Sequence, residues 1–420
     1  MDNKLTTESV FTTTSGLPLK GKIDFQRISD LSDTLRNLVE RIKSQAFLPS
    51  GAKVAPSFTL PQLADLCKVS RSSMLYKLAK AEELGLSAGS ISHAADPENT
   101  GESSTSKRKT WTLAEARAWI SSCSIAYKRP QGVPGNVITV ANFKGGVGKT
   151  VTSMTLAQGL TLMGYKVLAI DADPQGSLTS LFGILPTQVS DDMTILPLML
   201  PPKSPGARST IKESIRNTYW DGLDLVCSAP GLFSGEFYLP TRQLNNEESN
   251  FNFHQILNIA LDDGTRHAYD YIIIDTMPAL SYLTMNTLWA ADSVVMPLPP
   301  EGLDIVSSAQ FWSMFTELAE SMPNEKSFNF IGILPSKVSY SKTHTKPLLR
   351  WIQAGYGELL LPVEIPDTQV VNVGTTELRT VYDITKYVGA TKTYARARDA
   401  YDKLVTEIDH LTRTTCWDCA

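Results

Sequence analysis

The chain has 420 residues, 42% hydrophobic and 20% charged, the balance of a soluble folded protein with about two or three domains. No apolar run approaches the roughly 18 residues of a membrane span, and residues 1–17 are polar, which argues against a secretory signal. The five cysteines are scattered and odd in number, which excludes a disulfide framework and favours a cytoplasmic location. Cys416 and Cys419 form a lone CxxC with no second pair to complete a zinc site, so we expect a frayed tail there.

Charge is unevenly distributed along the chain. The net charge is −4, yet residues 1–110 carry 15 Lys and Arg against 12 Asp and Glu, whereas residues 111–420 carry 24 against 31. Because nucleic acid responds to local patches of charge rather than to net charge, DNA binding by the first part remains open.

The first predicted element is an amphipathic helix over residues 22–46. Its apolar side chains recur at steps of three and four, and Pro49 and Gly51 close it. The members of this stripe are Ile28, Leu31, Leu35, Leu38 and Ile42. The stripe must bury itself on its own domain or on a second copy of the chain, and the second alternative would make residues 1–48 a dimerisation segment.

Residues 57–86 predict two short helices and a turn. Thr59 caps the first helix, and Ser70 caps the second, which runs to about Leu84 before Gly85. We expect five apolar side chains to face inward, namely Leu63, Val69, Met74, Leu75 and Leu78. The exposed face of the second helix then carries Arg71, Ser72, Ser73, Tyr76 and Lys77. This arrangement predicts a winged or helix-turn-helix DNA-binding domain over residues 49–130, with a generic helical hairpin as the alternative.

Between this part and the next, residues 88–108 lack apolar periodicity and predict a flexible loop. Residues 111–120 predict one more helix, and residues 129–135, with two prolines and two glycines, predict a linker.

From residue 137 onward, short β-branched runs alternate with helical stretches. Such runs, buried on both faces by crossover helices, predict an α/β fold with a doubly wound, mostly parallel sheet over residues 131–420. The predicted strands are residues 137–142, 166–171, 223–228, 271–275, 293–298 and 330–335. Ligands in such folds bind at the carboxyl ends of the strands.

The first of these strands leads into a glycine-rich loop and then a helix. The loop holds Lys144, Gly145, Gly146, Val147, Gly148, Lys149 and Thr150, with Val151 next. Successive backbone N–H groups in such a loop point at phosphate oxygens, beside the positive end of the helix. Lys149 provides a cation for the β- and γ-phosphates, and Thr150 is placed to ligate Mg²⁺, so the sequence predicts an ATP site.

The additional Lys144 in KGGVGKT resembles the deviant Walker A family, which includes ParA, Soj, MinD and the nitrogenase iron protein. The resemblance implies that Lys144 crosses a dimer interface to the partner's nucleotide. From the residues alone, Lys144 is a second cation beside a polyphosphate, a role that one subunit could also fill.

Acidic residues end two further strands. Asp171 and Asp173, two residues apart, can divide their roles between a metal shell and an attacking water, and Asp275 ends the buried run YIIID. The DADPQG stretch resembles the ParA and Soj form of the motif. That resemblance assigns Asp173 to the attacking water, Asp171 to magnesium and the phosphate loop, and Asp275 to the Mg²⁺ shell.

The predicted base site is carried by two strand ends. Residues 333–337 and 364–367 match the places where relatives contact adenine, and the candidate residues are Pro335, Lys337, Pro366 and Asp367. Ordinary strand ends explain them equally well.

Together these parts resemble the large plasmid-partition ParA proteins. The resemblance implies ATP-dependent homodimers on nucleoid DNA, a ParB-type centromere-binding partner that stimulates hydrolysis, and repression of the partition operon. It also points to a basic stretch over residues 377–383 for non-specific DNA, with Arg379 as the first candidate and then Lys386, Arg396 and Arg398. A solvated charged face explains the last three about as well.

Three alternatives remain. A MinD-like membrane cycler needs a basic amphipathic C-terminal helix, but the stripe in residues 401–414 contains three acids, which favours a packing helix. An iron-protein-like reductase needs paired cysteines for a cluster, and Cys227 is isolated. A repressor that only senses ATP would not need the carboxylates at positions 171, 173 and 275.

Overall fold

A computed structural model describes residues 25–42, 53–92, 108–123, 127–244, 251–262, 264–322, 326–368, 378–384 and 391–418. The chain divides into two compact units, with the boundary between Ala52 and Lys53. The first unit contributes helix α1 (Phe25–Ile42), which confirms a helix within the predicted range. Along α1 the apolar residues Phe25, Ile28 and Leu31 are exposed.

The second unit contains ten strands and thirteen helices among the residues that the structure describes. The strands are β1 (Ser57–Thr59), β2 (Ser90–Ser92), β3 (Arg108–Thr112), β4 (Asn136–Val140), β5 (Val167–Ala172), β6 (Arg216–Asn217), β7 (Leu223–Val226), β8 (Tyr271–Thr276), β9 (Ser293–Leu298) and β10 (Phe330–Pro335). The helices are α2 (Leu60–Leu66), α3 (Arg71–Ala79), α4 (Leu113–Ser122), α5 (Lys149–Leu162), α6 (Ser177–Leu181), α7 (Leu196–Met199), α8 (Gly235–Leu244), α9 (Ile256–Leu261), α10 (Thr265–Ala268), α11 (Tyr282–Ala290), α12 (Gly302–Glu320), α13 (Thr345–Tyr356) and α14 (Thr391–Thr412).

The second unit begins with a small antiparallel sheet, in the order β1-β3-β2, packed with α2, α3 and α4. Phe58 pairs with Trp111 across β1 and β3, and both side chains are buried. The prediction that Trp111 begins a helix was therefore wrong. Thr112 caps α4 instead, with Glu115 completing the reciprocal pair of hydrogen bonds. Strands β2 and β3 also occupy the two ends of the predicted loop, whose residues 93–107 lie outside the described part of the chain.

The helix pair α2 and α3 follows its predicted caps. Thr59 and Gln62 form the capping box of α2, and the Ser70 hydroxyl accepts from the Ser73 N–H at 3.1 Å. Helix α3 ends at Ala79 rather than near Leu84, because residues 80–85 form successive turns around the buried Ala81. Lys68, in the turn, adopts a left-handed φ of 52°, the conformation that glycine often supplies there.

The inward face of this pair is narrower than predicted. Leu63 and Met74 are fully buried, and Val69 and Leu78 are half-buried against the same core. Leu75 is 50% exposed, so its predicted inward position was wrong. One residue advances a helix by about 100°, and this step turns Leu75 away from the face that Met74 and Leu78 share.

The main sheet has the order β10-β9-β4-β8-β5-β7-β6. All its neighbouring strands are parallel except β6 and β7, which confirms the predicted α/β, mostly parallel sheet and all six predicted strands. The antiparallel edge strand β6 was not predicted, because it consists of two exposed polar residues without apolar alternation. The carboxyl ends of β4, β5 and β8 lie side by side at the centre of the sheet.

Helix α14 packs on α5, the helix that follows the glycine-rich loop. A Cβ added to Gly159 would lie 2.3 Å from a Val405 methyl group, so glycine lets the two helices approach. Tyr401, Leu404, Val405 and Ile408 of the stripe in residues 401–414 are buried and Leu411 is half-buried, as a packing helix requires. The helical path continues through Arg413–Trp417, and Trp417 stacks on Tyr127, so the frayed tail was wrong there. Cys419 lies outside the described residues.

Candidate active site at the phosphate loop

The glycine-rich loop joins the end of β4 to the start of α5. Gly146 and Gly148 adopt left-handed φ values of 75° and 101°, and Gly148 is the cap of α5. A residue with a side chain would be strained at both positions, so glycine is needed for backbone conformation. The Asn142 carboxamide oxygen accepts from the Lys144 N–H at 3.0 Å and fixes the entry to the loop. The loop therefore presents its amides beside the positive end of a buried helix.

Lys149 is folded back against the loop. Its side chain is 6% exposed, and its Nζ donates to the Lys144 carbonyl at 3.0 Å. Burial lowers the pKa of Lys149, whereas the nearby carboxylates of Asp275 and Asp173 raise it. A polyanion in the loop would add a third favourable charge to this ammonium group.

Thr150 and Asp275 form a direct contact at the floor of the site. The Thr150 hydroxyl donates to Asp275 Oδ2 at 2.7 Å, and the Ser153 hydroxyl donates to Asp275 Oδ1 at 2.9 Å. Asp275 is fully buried, and burial raises its pKa although both hydroxyls lower it. A hydroxyl and a carboxylate beside a phosphate cradle are the oxygen ligands that Mg²⁺ uses together with substrate phosphates, so these residues fit the metal.

Asp171 lies opposite Asp275 in the register of β5 and β8. One of its oxygens accepts from both the N–H and the hydroxyl of Thr179 at 2.7 Å, and the other accepts from the Asp173 N–H at 3.2 Å. Burial, followed by repulsion from Asp275, raises the pKa of Asp171. In this structure Asp171 orders the chain between β5 and α6. Its predicted contact with magnesium stays a prediction.

Asp173 reaches the open side of the phosphate loop. Its Oδ1 accepts from the Gln175 N–H at 2.9 Å, and the carboxyl is 8% exposed. Burial raises its pKa, and the Lys149 charge opposes that shift. Asp173 lines a pocket of about 460 Å³, together with residues from the loop and from three other segments. The lining includes Gly145, Gly146, Gly148, Lys149, Thr150, Val151, Pro278, Lys337 and Leu378.

Lys144 points away from this pocket floor. Its Nζ lies 2.8 Å from the buried carboxylate of Asp304, in the first turn of α12. The structure thus gives Lys144 an acidic partner within one subunit, and a contact with a second subunit's nucleotide stays a prediction.

The predicted base residues come together beside the loop. The Ser336 hydroxyl donates to the Val147 carbonyl at 2.9 Å, and Val338 pairs with Pro366. Lys337, Pro366 and Asp367 line a narrow recess there, together with Val147, Gly148 and Val151. Pro335 ends β10 and accepts from the Ile365 N–H at 2.8 Å, so its carbonyl positions the second strand end.

Leu378 belongs to the pocket but was not predicted. It is half-buried, packs against the main core and has a left-handed φ of 54°. Lys337, on the same pocket, has a φ of 52°. Non-glycine residues in this conformation carry strain and cluster at functional sites. No nucleotide-binding motif marks Leu378, because a distant part of the chain returns to the site there.

Three of the five predicted DNA residues of α3 form an exposed face. Arg71, Ser72 and Tyr76 are exposed, and the Lys80 ammonium lies 4.9 Å from the Tyr76 ring. The remaining predicted residues of this helix, Ser73 and Lys77, are half-buried.

The predicted C-terminal cations differ from one another. Arg379 and Arg396 are exposed. Arg398 lies over the Tyr382 ring at 4.1 Å, a contact that joins α14 to residues 378–384, and it pairs with Asp402 of the same helix at 3.1 Å. Lys386 lies outside the described residues.

Comparison with known proteins assigns the family. Residues 135–328 match a family described as an AAA domain. The chain is 31% identical over 281 residues to a protein described as a replication protein A from Rhizobium rhizogenes, covering 66% of this chain and 69% of that one. It is also 29% identical to protein SopA of Escherichia coli K12, over 80% of this chain and 82% of SopA. The chain belongs to the ParA-type partition ATPases.

Fold comparison extends over nearly the whole of this ParA-type chain. A solved structure of a partition protein matches it with a TM-score of 0.64 at 19% identity, over 93% of this chain and 99% of the other. This match supports the fold described above, a mostly parallel seven-stranded sheet with flanking helices. None of the described helices combines the length and hydropathy that a membrane crossing requires.

Proposed function

We propose that this ParA-type protein binds and hydrolyses ATP with Mg²⁺ to drive partition of DNA. In this proposal ATP-bound homodimers hold non-specific nucleoid DNA, a ParB-type centromere-binding protein stimulates hydrolysis, and the protein acts in the cytoplasm. The observation that carries the proposal is the hydrogen bond from the Thr150 hydroxyl, at the end of the loop that holds Lys149, to the fully buried carboxylate of Asp275.

Residues of this chain account for each part of phosphoryl transfer. The loop amides and Lys149 would bind the phosphate oxygens, and Thr150 with Asp275 would hold magnesium. Magnesium, when bound, neutralises negative charge on the phosphates. The carboxylate of Asp173, fixed by the Gln175 N–H, orients the attacking water from the open side of the loop. Lys144 adds a cation, either within the subunit or across a dimer.

The helical module of the second unit gives the protein its proposed specific DNA contact. The small sheet β1-β3-β2 beside α2 and α3 supports a winged helix-turn-helix domain over residues 49–130. The exposed start of α3, with Arg71 and Ser72, suits the major groove. We propose that this module binds the operator of the protein's own operon and represses it. Helix α1, with its exposed apolar stripe, supports the homodimer.

The test measures binding of the full chain to operator DNA and to random-sequence DNA, each with ADP and with ATP. We expect the affinity for random-sequence DNA to differ by about 5-fold or more between the ADP and ATP states. The affinity for operator DNA should change by a different factor. Equal affinities in both nucleotide states would contradict nucleotide-controlled DNA binding. Sedimentation with liposomes gives the control, because ATP-dependent pelleting would favour a MinD-like membrane cycle instead.

A further inference from the structure

Residues 378–384, which we call the return segment, connect the nucleotide pocket to a candidate DNA contact. Leu378 lines the pocket beside Lys149 and Asp173. The next residue, Arg379, is exposed. The pocket residue Leu378 and the surface residue Arg379 are therefore adjacent in the chain.

The return segment is fixed immediately after Arg379. Thr380, Val381 and Tyr382 are each 3% exposed, and Tyr382 makes a 2.9 Å hydrogen bond to Asp402 of α14. A shift of Leu378 cannot be absorbed by these packed residues, because close-packed interiors resist small displacements. The exposed Arg379 is the residue of this segment that has room to respond.

Asp383 fastens the segment to the protein. Its side chain is 4% exposed, and its carboxylate lies 3.1 Å from Lys53 Nζ. It also accepts from the Tyr219 hydroxyl at 2.5 Å and from Gln158 Nε2 at 3.1 Å. The Thr380 N–H donates to it at 2.9 Å, which closes the segment on itself. Buried hydrogen bonds to a charged group are stronger than neutral ones, so this carboxylate is a rigid anchor.

The partners of Asp383 belong to the elements that carry the phosphate site. Gln158 lies in α5, which begins with Lys149. Lys53 Nζ also donates to the carbonyl of Leu181, the last residue of α6, and Leu181 lines the same pocket. Helix α6 follows the stretch that holds Asp171 and Asp173. Asp383 thus links the segment that carries Arg379 to α5 through Gln158 and to α6 through Lys53.

We propose that Leu378 contacts the bound nucleotide and that Asp383 is a positioning residue that couples this contact to Arg379, so that the nucleotide state sets the affinity for the DNA backbone. The inference rests on the proposed ATP-dependent binding of non-specific DNA. It adds the residues through which nucleotide binding changes DNA affinity, as linkage between two binding sites requires.

The experiment measures the affinity of the full chain for a random-sequence duplex by fluorescence anisotropy, with Mg²⁺ and either ADP or a non-hydrolysable ATP analogue. The ratio of the two affinities is compared among the wild type, Leu378→Ala and Asp383→Asn. Leu318→Ala, a half-exposed leucine on α12, is the matched control. Nucleotide affinity and thermal unfolding are measured for every variant.

We expect the wild type and the control to show a ratio of about 5-fold or more, and both test variants to show a ratio below about 2-fold. Asp383→Asn should keep its nucleotide affinity within about 3-fold, a separation that a general loss of structure would not give. Arg379→Ala should weaken DNA binding in both states and leave nucleotide affinity unchanged. If Asp383→Asn does not fold, Tyr219→Phe replaces it, since it removes one bond to Asp383 and should lower the ratio partially.

The inference is overturned, while the proposed function stands, if two folded variants keep the wild-type ratio of DNA affinities. These variants are Leu378→Ala and either Asp383→Asn or Tyr219→Phe. A wild-type ratio near one would contradict the proposed function itself, so the two failures are distinguishable.

Discussion

The phosphate pocket buries its acidic side chains, whereas the outward face of α3 exposes its polar side chains to solvent. Asp171 and Asp275 are completely buried, and every oxygen of both carboxylates accepts a hydrogen bond from the protein. Arg71 and Tyr76 on α3 are exposed to solvent. Burying a carboxylate costs free energy unless other groups compensate, whereas an exposed arginine costs almost nothing.

Substitutions on the α3 face should therefore change function without changing stability, whereas substitutions in the phosphate pocket should change both. Asp275 lies beside Asp171 in the sheet and helps to raise the pKa of Asp171, while hydrogen bonds from Thr179 and Asp173 oppose that shift. A cation bound at the loop would favour the ionised forms of both carboxylates. The α3 face makes few internal contacts, and substitutions there should leave folding and ATP turnover intact.

The largest effect is expected for Lys149→Ala, which removes the buried cation of the loop. Losing one partner of a buried charged contact costs about 2–5 kcal/mol, so ATP affinity should fall by at least about 30-fold. Calorimetric titration with ATP and Mg²⁺ measures it. Lys166→Ala, at the opposite end of β5, is the control. Unchanged ATP affinity in the Lys149 variant would refute the assignment of the loop.

Asp173→Ala should leave ATP binding within a few-fold of the wild type and slow turnover by about 100-fold, because it removes the group that orients water. ATP-bound dimers should then accumulate, as seen by sedimentation velocity. Asp399→Ala, an exposed acid on α14, is the comparison variant. Wild-type turnover in the Asp173 variant would disprove its catalytic role.

Arg71→Ala should weaken binding to operator DNA by about tenfold, since a single base-contacting arginine contributes about 1–3 kcal/mol. Its ATP turnover and unfolding temperature should match those of the wild type. Lys203→Ala, an exposed cation of the ATPase part, controls for general loss of charge. If Arg71→Ala bound the operator normally, α3 would not be the recognition element.

The smallest effect is expected for Leu75→Ala, which should change the free energy of unfolding by less than about 0.5 kcal/mol because this side chain is half exposed. Its neighbour Met74 is fully buried, and Met74→Ala should cost about 2–4 kcal/mol. Urea denaturation of both variants tests which face of α3 is packed. Equal losses would mean that α3 is rotated from its position in the structure.

The phosphate site and the small sheet beside α3 also differ in how well their structure can be predicted from the sequence. The phosphate loop and the acidic strand ends carry their chemistry on consecutive residues, so strand, turn and helix could be placed before any contact was known. The small sheet could not be placed, because β1 and β2 are only three residues long and pair with a strand far along the chain.

Three residues show which features of the structure local sequence patterns do not predict. Trp111 fits a strand or a helix equally well, and its partner Phe58 lies 53 positions earlier, so only the tertiary contact decides. Leu75 is an apolar residue next to another, and a single 100° step decides which is buried. Leu378 reaches the pocket through the path of the chain, which no local pattern records.

Phosphate release from ATP by the purified full chain, with Mg²⁺, DNA and a ParB-type centromere-binding protein, measures the proposed ATP hydrolysis itself. We predict release by the wild type well above that of Lys149→Ala, with Asp173→Ala close to the Lys149 variant. Release by the wild type no faster than by Lys149→Ala, in a protein shown to be folded, would refute the proposed hydrolysis.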